Sequence, residues 1–368
     1  MQVLHKQQIN RQEFVNATAR LRYLEMQLLT GEQTLQLLHT TSREEQLEIL
    51  AAAGYTRLEE GLLHAVGFNE LLYRALAGFC AEAGEISPYG KGYLNLFLLH
   101  YDLHNITATD NSVWTGPPRH VAEEEAPLPE AQEPVPHLLP IPAERAALYE
   151  LMRRGVEAEV PPREEFFAGL YRGAMELRLE KGRKAAQEYM DRRYFATLTE
   201  WSGQWGVPLF AQLVAVKIDF YNILSALRLR RIHEMNESYK TKEAQEILEN
   251  RVLVPGGLAP QEEVLAFYRQ PVTLLPGLLA AQPYMSFLQT GLEAFARTGK
   301  LHLLEKNMDD YTMQMLQAKR DIPYGPEPFI GYLYARQTEV NNLKLIFTAW
   351  STALGNETAE ERLRNTYV

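Results

Sequence analysis

The sequence predicts an all-α protein with an internal repeat. Three observations carry that reading. Apolar residues recur at three- and four-residue spacing along almost the whole chain, the spacing that lines one face of a helix. No stretch alternates with the period of two that a half-buried strand requires. One short polar pattern returns four times, each time inside a predicted helix.

The elements follow in chain order. Phe14, Ala17, Leu21, Leu24 and Leu28 share one face, and their helix should stop near Thr30-Gly31. Ser42 and Glu45 form a capping box that opens a helix ending at Gly54. A longer helix runs through Leu58, Leu62, Leu63, Val66 and Leu76 to about Gly84, and another from Gly92 to about Thr109. From Ser112 to Pro142 prolines crowd together with Glu123-Glu124-Glu125. Proline removes backbone donors and bars helix, so 112–142 reads as a solvated insertion. Helices are expected again over 143–157, 162–181, 183–205, 207–236, 242–250, 260–269, 273–281, 284–298, 308–319, 326–353 and 358–367.

Composition narrows the function. The 368 residues include 37 basic against 47 acidic ones, a net charge of −10. That balance weighs against binding nucleic acid or an anionic membrane surface, because the phosphate-neutralising surplus is missing. The single cysteine, Cys80, cannot form an intrachain disulfide and sits among Leu76, Ala77 and Phe79 as a core residue would. The first residues lead into polar sequence rather than a signal peptide, and no unbroken apolar run is long enough to span a membrane. The compartment reads as cytosol.

The recurring pattern is an acid, two residues, an asparagine and then an apolar residue. It starts at Glu13 (with Asn16), Asp102 (with Asn105), Asp219 (with Asn222) and Glu339 (with Asn342). Roughly two acid-x-x-Asn matches are expected by chance, so the helical setting and the apolar residue after each asparagine give the pattern its weight. Basic residues follow three of the four: Arg20 and Arg22, then Arg228, Arg230 and Arg231, then Lys344. A second echo joins Leu50–Tyr55 to Leu279–Tyr284; each ends in a helix-stopping residue directly before a tyrosine. Acid and asparagine share a helix face. Asparagine is a poor helix former, so mid-helix it needs a side-chain partner. The pairs are either polar clamps that fix helix register or an exposed face for another protein.

These residues resemble the family of V/A-type rotary ATPase C subunits, whose eukaryotic equivalent is the d subunit. The likeness lies in Phe14–Arg22, in Lys217–Leu224 with Leu227-Arg228, in Val254-Pro255-Gly256-Gly257, in Glu339–Ile346 and in Tyr367-Val368. It spans essentially the whole chain in the family's order. The chain differs where the family usually has Gly-Lys, reading Phe347-Thr348-Ala349-Trp350, and its proline- and glutamate-rich insertion is longer. The resemblance implies a funnel of three similar helical domains about a pseudo-threefold axis, expected here at 1–100, 101–216 and 217–368. It implies a non-catalytic rotor component on the cytoplasmic face of the membrane. Its partners would be the central-stalk subunits of the soluble motor and the proteolipid ring. A generic α-helical adaptor is the alternative; a solenoid would need regularly stacked helix pairs, whereas these motifs lie over 80 residues apart.

Catalytic, cofactor and metal sites are not expected. There is no Gly-x-x-x-x-Gly-Lys-Ser/Thr loop for a nucleotide, and Pro255-Gly256-Gly257 reads as a turn. His233-Glu234-Met235-Asn236-Glu237 puts glutamate where a zinc helix needs its second histidine. Glu60 and His64 form no repeated di-iron pair. Asp309-Asp310 lacks a third acid and reads as a solvated helix start. Trp201, Trp205, Phe210 and Phe220 read as core.

Overall fold

The computed structural model describes residues 9–56, 68–90, 92–115, 139, 141, 165–235, 246, 248–278, 281–352 and 355–368. Among these residues the chain is all helical, without a strand. In order the helices are α1 Phe14–Glu25, α2 Gly31–His39, α3 Arg43–Ala52, α4 Phe68–Ile86, α5 Asn95–Thr115, α6 Glu165–Lys181, α7 Arg183–Gln204, α8 Pro208–Met235, α9 Gln261–Arg269, α10 Met285–Thr298, α11 His302–Gln317, α12 Glu327–Ser351 and α13 Asn356–Glu360.

The expected fold class holds; several boundaries move, each for a local reason. The first helix stops at Glu25, so Leu28 and Leu29 lie outside it yet are buried. Gly31 begins a helix instead of ending one. Thr30 caps it through a capping box with Gln33, giving α2, which apolar spacing alone did not reveal. Ser42 caps α3 as expected, but Glu45 bonds Gln36 and Thr40 rather than the serine N–H, which Thr40 receives. Helix α5 continues to Thr115, four residues into the expected insertion. Within the stretch expected over 273–281, Val272–Gly277 forms a 3₁₀ run rather than an α-helix. Leu248–Val252 forms a π turn. Helix α11 begins at His302, which leaves Asp309-Asp310 well inside it instead of at its start. Beyond α13 the residues expected to be helical form a turn at Glu361-Arg362 and then run without regular secondary structure to Val368. The expected helix over 143–157, most of 112–142, and the Glu60–His64 pair lie outside the described residues.

The described chain forms two compact units. One comprises Met1–Phe97 with Leu198–Val368, the other Leu98–Thr197.

The first unit has two dense regions. In one, Ile223 and Leu227 of α8 pack with Val264 and Phe267 of α9, Leu288 and Leu292 of α10 and Leu304 of α11. Gly291 lets α10 and α11 touch, since a methyl there would lie 2.5 Å from the Leu304 Cα. In the other, α12 packs on α1 and α4, with Phe14, Leu21, Leu72, Leu76, Phe329 and Leu333 all buried. The second unit buries Phe167, Leu170 and Tyr171 of α6 and Met190, Tyr194 and Phe195 of α7. Among the described residues one segment, Pro208–Ile232 of α8, is long and apolar enough to cross a membrane, with mean hydropathy 1.3. Its window is 61% buried inside the protein, as for a core helix.

Candidate functional site

The asparagines of three of the four acid-x-x-Asn pairs build the same buried device. Asn222 of α8 accepts from the Val254 N–H at 2.9 Å and donates to the Val254 carbonyl at 2.8 Å. Asn342 of α12 does the same to Arg364, at 2.9 and 3.0 Å. Asn105 of α5 does it to Leu139, at 2.7 and 3.0 Å, and also donates to Ile141. Each carboxamide therefore pairs with both polar groups of one backbone residue, as a neighbouring strand would. The asparagines are 0–3% exposed, so each clamp replaces water that the paired segment has lost.

The acids hold a second piece of chain. Asp219 accepts from the backbone N–H groups of Leu258 and Ala259 at 3.0 and 3.1 Å and from the Tyr284 hydroxyl at 2.9 Å. Glu339 accepts from the Leu29 N–H at 2.5 Å and the Tyr55 hydroxyl at 3.0 Å. The correspondence is close: Ala259 directly precedes Pro260, the N-cap of α9, and Leu29 directly precedes Thr30, the N-cap of α2, both nine-residue helices. The tyrosine echo seen in the sequence thus has a structural meaning, although Tyr55 meets the last acid and not the first. Asp102 is also buried.

Glycine makes the Asp219 clamp compact. A side chain at Gly257 would fall on the Asp219 carboxylate, and Gly256 holds φ +106°. Electrostatics separate the two fully described clamps. Arg336, one turn before Glu339, donates to it at 2.9 Å and to the Ala53 carbonyl at 2.9 Å, and lies over the Phe79 ring at 3.9 Å. At the same position before Asp219 stands Val216. Burial pushes the Asp219 carboxyl above the ordinary aspartate range, and its hydrogen bonds oppose that rise. Burial also raises Glu339, with Arg336 as the main opposing charge.

The first motif does none of this. Glu13, at the N-cap of α1, is exposed, as are Asn16 and Arg20 on α1. Arg22 is committed inward, to Glu25 at 2.5 Å and to the carbonyls of Arg320 and Ile322. Arg228 pairs with Glu305 at 2.6 Å on the surface. Lys344 donates to the Tyr73 hydroxyl at 2.5 Å and lies 4.0 Å from that ring's centre.

Sequence reading missed one feature built on these helices. In the first unit, a recess is lined by Phe97, Val214 and Tyr334 together with Phe210, Lys217 and Ile330. Phe97, Val214 and Tyr334 stand on α5, α8 and α12, each five residues before its motif acid. Phe210 and Ile330 each stand nine before theirs, and Tyr93, at the same position before Asp102, stacks on Phe210 at 5.9 Å. Phe97 and Tyr334 meet edge to face at 5.2 Å. Three helices with the same motif therefore present matching positions to one another. Aligning the four sequence motifs on their acids would have exposed this; at the Glu13 motif the corresponding residues fall at Gln8 and Leu4.

Comparison with known proteins agrees with this architecture. Residues 17–362 match the family described as ATP synthase (C/AC39) subunit. The chain is similar to the C subunit of the V-type sodium ATPase of Enterococcus hirae, 24% identical over 177 residues, which cover 48% of this chain and 50% of that protein. The match thus spans about half the length of that relative. With nearly the whole chain inside the family match, this protein belongs to the ATP synthase C/AC39 subunit family.

Proposed function

We propose that the chain is a non-catalytic coupling subunit of a V/A-type rotary ATPase. It would stand between the central-stalk subunits of the soluble motor and the proteolipid ring, on the cytoplasmic face of the membrane, and turn with both. Three similar helical domains, expected at 1–100, 101–216 and 217–368, would form a funnel about a pseudo-threefold axis. The observation that carries the reading is the recess at Phe97, Val214 and Tyr334, where matching positions of three helices meet. A rotating adaptor needs stiffness and a shaped seat, and the clamps supply stiffness by fixing non-helical segments against helices at both polar atoms. Arg20 is the best placed of the sequence candidates for a partner surface, because it is exposed while Arg22 is spent on internal carbonyls.

The test is purification of the tagged chain from native membranes, followed by electron microscopy of what accompanies it. Co-purification with an ATPase and a position between stalk and ring are expected; a chain that never associates with a rotor ring sinks the proposal. Charge reversal, Arg20→Glu, should weaken assembly and leave the melting temperature nearly unchanged.

A further inference from the structure

The Glu339 clamp differs from the Asp219 clamp in how its two segments are joined. Val254, paired by Asn222, and Leu258-Ala259, paired by Asp219, belong to one short continuous stretch. Arg364, paired by Asn342, and Leu29, paired by Glu339, come from opposite parts of the chain. Chain continuity secures the first arrangement. In the second, Leu363–Val368 must be secured by what surrounds it.

The surroundings are those of a bound peptide. Beyond the Asn342 pair, the Asn365 N–H donates to Asp310 at 2.7 Å, and the Arg364 side chain meets Asp309 at 2.8 Å. Gln317 donates to the Thr366 carbonyl at 2.8 Å, and Arg320 reaches the Tyr367 carbonyl at 3.5 Å. Two side chains anchor the segment: Leu363 is 8% exposed and Tyr367 2%. Tyr367 fits because residue 331 is glycine; a methyl there would lie 2.7 Å from its hydroxyl and 3.0 Å from its ring. Main-chain bonds along a segment with a side-chain pocket are how proteins recognise peptides.

We propose that α11 and α12 form a peptide-binding groove occupied in cis, whose ligand class is a peptide anchored by a tyrosine, here Leu363–Val368. The groove holds the segment by its own contacts and does not need the covalent link at Arg362.

A specific-protease site inserted after Glu361 tests this on the full chain. The uncut protein is cleaved after folding and passed through gel filtration. The freed peptide should stay with the protein, and Asn342→Ala or Gly331→Ala should speed its release about tenfold, the equivalent of one lost buried pair. Release on cleavage overturns the groove, whether or not the remaining chain stays folded. So does a release rate that neither substitution changes. Should the insertion itself prevent folding, hydrogen exchange on the uninterrupted chain decides. Slow exchange of the Arg364 and Asn365 amides, lost in Asn342→Ala, supports the groove; fast exchange in the unsubstituted protein overturns it.

Discussion

The Asp219 and Glu339 clamps share a geometry and differ in charge. Both acids take a backbone N–H just before a helix N-cap and a buried tyrosine hydroxyl. Asp219 is stabilised as an anion by hydrogen bonds alone, and the nearby Glu263 charge opposes it. Glu339 has a buried guanidinium one turn away, itself held by Ala53, Tyr332 and the Phe79 face. Within this molecule, then, the hydrogen-bond frame is what the two clamps have in common, and the ion pair is an addition to one copy. The same difference shows where each copy is fragile. A buried anion held by dipoles fails when a dipole is lost, and a buried ion pair fails when one partner is lost.

Breaking the ion pair should have the largest effect. Arg336→Val gives the Glu339 clamp the residue that precedes Asp219 and leaves a buried carboxylate without its cation. Urea unfolding should show a loss of about 3–5 kcal/mol. Adding Glu339→Gln to that variant should recover a substantial part, since the uncompensated charge is gone; no recovery would mean that Arg336 acts through packing on Phe79.

Next come the dipoles of the Asp219 clamp. Asp219→Asn turns one acceptor oxygen into a donor facing backbone N–H groups and should cost about 1–3 kcal/mol. Gly257→Ala forces a methyl onto the carboxylate and should cost about as much, roughly 1–3 kcal/mol by the usual scale of overpacking. Asn222→Leu strands both polar groups of Val254 and should also lose on the order of 1–3 kcal/mol in thermal or urea melts. Unchanged melting in this last variant would assign the asparagine to some role other than the clamp.

The smallest effect is a pH dependence of the Asp219 clamp. The folded pKa of Asp219 is raised, so the folded state holds its proton more tightly than the unfolded chain. Its contribution is therefore fully present below the ordinary aspartate range and is lost as pH rises through the raised folded value. Relative to Asp219→Asn, the unsubstituted protein should gain stability as pH falls toward that range. Paired melting curves across mildly acidic pH check this; a difference that grows in the opposite direction contradicts the assignment.

Much of this is legible in the residues alone. Apolar periodicity located most of the described helices, and the helix of 260–269 was placed almost to the residue. Asparagine inside a helix signalled a partner, and three of the four motifs have one. The failures share a cause. The end of α1, the irregular run of Leu363–Val368 and the nature of the Glu13 motif depend on residues far away in sequence. Leu29 leaves the helical pattern because Glu339 takes its N–H, and Arg364 because Asn342 takes both its backbone groups. Capping chemistry at Thr30 was readable locally but was masked by a glycine that resembles a stop.

By itself, the sequence determined the all-helical class, the repeat of an acid and an asparagine on one helix face, and the likeness to a rotary-ATPase component. These follow from local spacing and residue type, which short-range geometry converts into faces and caps. Only the tertiary structure decided which motifs clamp, that Glu339 is served by Leu29 and Tyr55 from the other end of the chain, and that matching positions on three helices converge at one recess. Those are questions of which desolvated polar groups find each other. The answer is set by long-range packing, because a buried donor or acceptor must be paired by whatever the fold brings beside it.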